Sequence, residues 1–126
     1  MGGIALAPGE HELMRQSMVS NDDFASLIQL SGELVLTNLN VVWYEKSLLG
    51  KVKNKCGYPL ASMVYAAATK SLVGSPSLVL DYGAYSVTFV FEGEKKRTPK
   101  KWADKINALI EQRELNEGIA EGEDAW

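Results

Sequence analysis

Residues 32–46 read GELVLTNLNVVWYEK. From Glu33 to Thr37 the side chains alternate, with Leu34 and Leu36 on one face and Val35 on the other, the period of a strand with two distinct faces. Asn38-Leu39-Asn40 supplies residues whose side chains hydrogen-bond locally and favour a turn. Val41 to Glu45 then resumes with β-branched and aromatic residues, which pack well on a pleated surface. The stretch predicts an antiparallel hairpin with one apolar face.

Working outward, Glu10 to Val19 predicts an early strand, and Asn21-Asp22-Asp23 a turn or helix cap. Phe24 to Leu30 fits either a short strand or a helical turn, because seven residues do not separate the two periods. Leu48-Leu49-Gly50 leads into Lys51 to Lys55, read as a basic loop or strand end. Tyr58 to Ala67 predicts one further strand, with Pro59 near its start, where a missing N–H does least harm. Ser77 to Tyr82 and Ala84 to Phe91 predict a second hairpin about Gly83. Its core face is expected to carry Leu78, Leu80 and Tyr82 on one strand and Tyr85, Val87, Phe89 and Phe91 on the other.

One helix follows. Thr98 suits the N-cap and Pro99 the first helical position. Trp102, Ile106, Leu109 and Ile110 recur at helical spacing and form a single apolar stripe, so Trp102 is expected in the core. The helix is expected from about Pro99 to Leu115, with Gly118 as a stop. The organisation is therefore a loose lead-in over 1–8, one domain over 9–115, and an acidic tail over 116–126 expected to fray. Trp126 falls in that tail.

Gly32-Glu33-Leu34-Val35-Leu36-Thr37-Asn38 followed by Val41-Val42-Trp43 resembles the G-x-L-x-L-T-N hairpin of bacterial pleckstrin-homology-like (PH-like) and GRAM-like domains. Tyr58-Pro59-Leu60-Ala61-Ser62-Met63 is similar to the strand that follows in those families. The late hairpin and the Trp-bearing helix complete the order, and the resemblance spans roughly residues 9–112. It implies an α+β, mainly β fold: a bent antiparallel β-barrel of about seven strands closed by one C-terminal amphipathic helix. It also implies binding of lipid headgroups or proteins, with self-assembly in some members, rather than catalysis. One departure stands out. Family members commonly place a basic residue after the Asn, where this chain has Leu39-Asn40, so no binding role is carried over to that turn.

At 126 residues the chain suffices for one modest core. No apolar run approaches the ~20 residues of a membrane span. No basic region precedes an apolar stretch at the N-terminus, and Leu6 stands where a myristoylation motif needs Ser or Thr. Cys56 is the single cysteine, which fits a reducing, cytoplasmic location. Nucleophile-elbow, phosphate-loop and Cys/His metal spacings are all missing from the sequence, so no enzyme activity, cofactor or metal is expected. His11 lies in a polar strand without an orienting partner and reads as a surface side chain. Cys56 beside three lysines invites a lowered pKa. A small packed strand residue is the simpler reading, since free cysteine is commonly buried.

The net charge of −3 is unevenly spread: residues 1–50 sum to −4, residues 51–101 to +6 and residues 102–126 to −5. This is no general polyanion binder, and no nucleic-acid partner is expected. The candidate ligand-binding residues are Lys51, Lys53 and Lys55, which would share a face in an extended segment, and Lys95, Lys96, Arg97, Lys100 and Lys101 around the helix start. Lysines in a first helical turn oppose the helix dipole, at a cost of roughly 0.3–1 kcal/mol each, and with the free N–H groups they favour an anion. A solvated charge run is the plainer alternative. Two functions follow as expectations. The first is a non-enzymatic module binding a protein partner or a second copy of itself through exposed strand edges. The alternative is a peripheral module binding anionic lipid through the basic patch.

Overall fold

The computed structural model describes residues 6–21, 31–46, 49, 51–70, 75–92 and 97–124, with the backbone alone for residues 31, 46, 53 and 116–124. The strands are β1 (Glu12–Asn21), β2 (Ser31–Thr37), β3 (Asn40–Lys46), β4 (Val52–Pro59), β5 (Tyr65–Lys70), β6 (Pro76–Asp81) and β7 (Ser86–Phe91). A single 3-10 turn, Leu60–Ser62, separates β4 from β5, and helix α1 (Thr98–Asp124) closes the chain. All pairings are antiparallel, in one seven-stranded sheet of order β4-β3-β2-β1-β7-β6-β5. The segment Phe24 to Leu30, left open between strand and helix, lies outside the described residues.

Strand β1 makes the bend. Its register against β2 slips between Gln16 and Val19, and Met18 takes φ 60, as expected of a bulge. Beyond the bulge, Val19 pairs with both Gly32 of β2 and Phe91 of β7, so one strand joins the two halves of the sheet. The halves then curl toward each other by side-chain contact. The Tyr58 ring meets Phe89 edge-on at 5.6 Å, and the Tyr82 hydroxyl donates to the Pro59 carbonyl at 3.0 Å. Inside lie Leu34, Leu36, Val41 and Trp43 from one half and Leu78, Leu80, Val87 and Phe89 from the other. The Trp43 ring N–H donates to the Val19 carbonyl at 2.8 Å, so its one polar atom is satisfied at the bend itself.

Helix α1 covers the open end. Trp102, Ala103, Ile106 and Ile110 are buried, and Trp102 meets Phe91 edge-on at 6.2 Å. The Asn107 carboxamide accepts from the Ala66 N–H and donates to the Ala66 carbonyl, both at 2.8 Å, as an added strand would. It therefore caps one point on the outer edge of β5.

Three expectations need correction, and one open alternative is decided. Tyr58 to Ala67 is not one strand. Pro59 ends β4 rather than starting a strand, and Leu60–Ser62 winds into a 3-10 turn closed by the Met63 N–H on the Leu60 carbonyl. For Lys51 to Lys55, read as loop or strand end, the strand reading holds from Val52 onward, which begins β4. The helix opens one residue earlier than a Thr98 cap requires, because the Lys101 N–H bonds the Arg97 carbonyl. It also continues past Gly118 to Asp124. Gly118 and Gly122 each cost only about 1 kcal/mol in a helix, and the Ala and Glu residues around them favour helix. Trp126 lies outside the described residues.

The segment before β1 is tied to the β2–β3 turn. The Glu10 carboxylate accepts from the Thr37 hydroxyl at 2.5 Å, Asn40 Nδ2 at 2.8 Å and the Ala7 N–H at 3.0 Å. The Thr37 bond, then those from Asn40 and Ala7, hold the Glu10 carboxyl below its ordinary value near 4.5. A depressed carboxyl stabilises the fold above its unfolded value, and that contribution fades as pH falls through the folded value. Denaturant midpoints measured from about pH 5 down to about pH 3 should therefore fall more steeply for the wild type than for Glu10→Gln.

Candidate interaction surface

The lysines proposed from sequence fall on two elements. Lys53 and Lys55 sit in β4, with Lys51 just before it, and Lys51 and Lys55 are exposed. The β3–β4 register slips between Glu45 and Lys46, leaving Lys53 as an extra residue between Val52 and Asn54. This bulge breaks the regular alternation on which a shared face for the three lysines depends. Strand β4 is an end strand, and lysines with a bulge are a common means of keeping such an edge from pairing with another chain.

At the helix start Arg97, Lys100 and Lys101 are exposed, while Lys95 and Lys96 lie outside the described residues. Lys100 pairs with Asp104 at 2.9 Å, both ends being well exposed, and such pairs contribute little. Helix α1 packs on β5, β6 and the 3-10 turn.

A second charged group satisfies itself. Arg15 clasps both Glu12 oxygens at 2.7 and 3.2 Å and donates to Glu33 at 2.9 Å and to the Tyr44 hydroxyl at 2.6 Å. Tyr44 also bonds Glu33. Burial, then that bond, raises the Tyr44 pKa, and the Arg15 bond lowers Glu12. With its members paired to one another, this network offers little to a ligand.

The apolar surface lies elsewhere. Strand β6 ends at Asp81 and β7 begins at Ser86, so Tyr82 and Tyr85 lie in the turn; Tyr82 still packs against the core, whereas Tyr85 is exposed rather than on the core face expected for it. Gly83, at φ 87, supplies the left-handed residue that turn needs. The Tyr82 and Tyr85 rings stack at 5.1 Å and 10°. Beside them the chain leaves the 3-10 turn as Val64-Tyr65, and the Val64 N–H bonds the Asp81 carbonyl at 2.7 Å. Tyr85, Val64 and Tyr65 are 60%, 53% and 49% exposed. Asp81 orders the patch: its carboxylate takes the Gly83 N–H at 2.6 Å and a bond from Tyr65, which raises the Tyr65 pKa. Burial, followed by the nearby Tyr85 and Tyr58, raises Tyr82 further. The patch was missed in the sequence, where a tyrosine on each side of a glycine turn was the one available signal.

Among the described residues no group of His, Cys, Asp and Glu is placed to hold a metal ion, and no helix is long and apolar enough to cross a membrane. His11 is exposed, and Cys56 is half-buried against the core.

No family model matches the chain, and no curated protein matches it in sequence. Solved structures do match. The Vps36 N-terminal PH domain is 15% identical with a TM-score of 0.69, over 88% of this chain and 86% of that one. The fold is pleckstrin-homology-like. The hSac2 domain of the human phosphoinositide phosphatase Sac2 is 15% identical with a TM-score of 0.63, covering 86% of this chain and 74% of that one. The DH/PH domains of p115-RhoGEF are 8% identical with a TM-score of 0.56, covering 80% of this chain and 30% of that one. At these identities the likeness shows the fold, and a PH-like fold is a scaffold reused for many partners.

Proposed function

We propose that this PH-like chain is a non-enzymatic interaction module that binds a protein partner, with self-association as the form testable on the protein alone. The observation that carries this reading is the exposed Tyr85 ring stacked on Tyr82 at the β6–β7 turn, with the exposed Val64 and Tyr65 on the neighbouring segment. Tyrosines present large area at small entropic cost and are enriched in protein interfaces, whereas isolated exposed apolar residues need no explanation. Strand addition at the sheet ends is less favoured. Lysines and a bulge mark β4, and Asn107 occupies the Ala66 backbone groups of β5.

The double variant Val64→Asp, Tyr85→Asp tests this surface. Both residues are exposed, so the fold should survive. Static light scattering over a concentration series should show the wild type gaining mass and the variant not. A variant that associates as the wild type does would remove this surface from the proposal.

The alternative is a peripheral membrane module, supported by the exposed Lys51, Lys55, Arg97, Lys100 and Lys101. Lys53, Lys95 and Lys96 belong to the same proposed set. Charge reversal of Lys95, Lys96 and Arg97 should then abolish any salt-sensitive binding to anionic vesicles, because exposed charges are screened beyond ~8 Å at physiological ionic strength. Unchanged binding at low salt would make the cluster a solvated surface.

A further inference from the structure

Arg113 continues the apolar stripe of α1, following Ile106, Leu109 and Ile110 at helical spacing. A cation at a stripe position is forced against the body of the domain. It lies at one side of a groove of about 550 Å³, between the β2–β3 turn and the 3-10 turn. Leu39, Leu60 and Leu109 make its apolar walls, and Gln112 stands at its side. A space of that size is in the range of small binding sites.

The walls are held in place from behind. The Leu60 N–H bonds the Leu39 carbonyl at 2.9 Å, joining the two turns. The Asn38 side chain is committed, accepting from the His11 N–H at 2.8 Å and donating to the Gly9 carbonyl at 3.0 Å.

The guanidinium is incompletely matched. Nη1 donates to the Leu60 carbonyl, and Nη2 reaches the Met63 carbonyl at 3.5 Å. Nε is buried without a hydrogen-bond partner. Among the described residues its one paired carboxylate is Glu114, at 3.7 Å and 62% exposed. The charge is thus met by two carbonyl dipoles and one exposed carboxylate on a side chain that is 25% exposed, so a further carboxylate in the groove is favoured.

We propose that this groove binds a short acidic and apolar protein segment, its carboxylate on the open side of the Arg113 guanidinium and its aliphatic side chain between Leu39 and Leu109. Phosphate alone fits poorly, because one cation and three leucines line the site and no lysine does. This site rests on the reading of the chain as a protein-binding module. It uses different residues from the tyrosine surface. It also gives a use to Leu39, which is 46% exposed where the resembling families carry a basic residue.

The test is a ¹⁵N-HSQC titration with short acetylated, amidated peptides placing Asp or Glu beside Leu, against matched peptides with Asn or Gln. The acidic set should shift the amides of Leu39, Leu60, Ala61 and Gln112, and its affinity should exceed the neutral set by roughly tenfold, the scale of one charge-assisted contact. Arg113→Ala loses the tie between helix and turn and is a poor probe by itself. Leu39→Asp lies on an exposed wall, should fold, and should abolish binding by repulsion. Arg113→Lys, which keeps the charge and loses the planar fork, should weaken it. The proposal is overturned by absence of shifts at these amides, by equal binding of the neutral peptides, or by a Leu39→Asp variant that binds as the wild type does. The Val64→Asp, Tyr85→Asp variant should bind the peptides normally. If the peptides fail while that variant alone loses self-association, this groove is excluded and the tyrosine surface stands.

Discussion

Trp102→Ala should destabilise the domain by about 3–5 kcal/mol, the range for removing a fully buried aromatic side chain. Trp102 is 1% exposed and is the largest side chain by which α1 fills the open end of the sheet. Its ring meets Phe91, whose strand pairs with β1 beyond the bulge, so the helix seals the point where the two halves of the sheet join. The loss includes the transfer energy of the ring and the cavity left behind, which Ile106 and Ala103 are too short to fill. Urea unfolding followed by far-ultraviolet circular dichroism would measure it. A midpoint equal to that of the wild type would show that α1 does not close the core.

Gly32→Ala should be comparably damaging for the opposite reason. A Cβ at position 32 would stand 2.2 Å from the Tyr44 carbonyl oxygen and 3.0 Å from the Trp43 ring. Overpacking usually costs about 1–3 kcal/mol, and the upper end or beyond is expected when the obstacle is backbone rather than a mobile side chain. Relief requires β2 and β3 to separate next to their Glu33–Tyr44 pair, and Val19 of β1 lies opposite Gly32. Thermal unfolding of the variant beside Gly57→Ala gives the control, since nothing lies within 4 Å of a Cβ at Gly57. Equal melting temperatures for the two variants would refute the close approach.

Much of the fold was readable because its signals are local. The alternation through Leu34 to Leu36, the Gly83 turn and the stripe from Trp102 to Ile110 each reflect one element burying one face. The failures come where a tertiary contact overrides the period. Val64 and Tyr65 favour extended backbone, yet between them and Tyr58 the chain must turn from one half of the sheet to the other, and Leu60–Ser62 winds to do so. Tyr85 shares the hairpin's apolar pattern, but alternation loses its phase across a turn, so Tyr82 on the near side packs on the core and Tyr85 does not. The candidate sites were least legible. Lysines far apart in sequence carry no statement of their separation in space. The bulge at Lys53 and the groove at Arg113 both depend on partners contributed by distant segments.

The most direct test of a protein partner against a lipid one is to run vesicle pelleting beside light scattering on the same preparation. Phosphatidylcholine vesicles with and without phosphatidylserine would be sedimented with the wild type and with the Val64→Asp, Tyr85→Asp variant at physiological salt. The expected result is no phosphatidylserine-dependent pelleting of either protein, together with a concentration-dependent rise in mass that the double variant lacks. A wild type that stays monomeric and pellets with phosphatidylserine in a salt-sensitive way would contradict the assignment and establish the lysine and arginine set as the binding site.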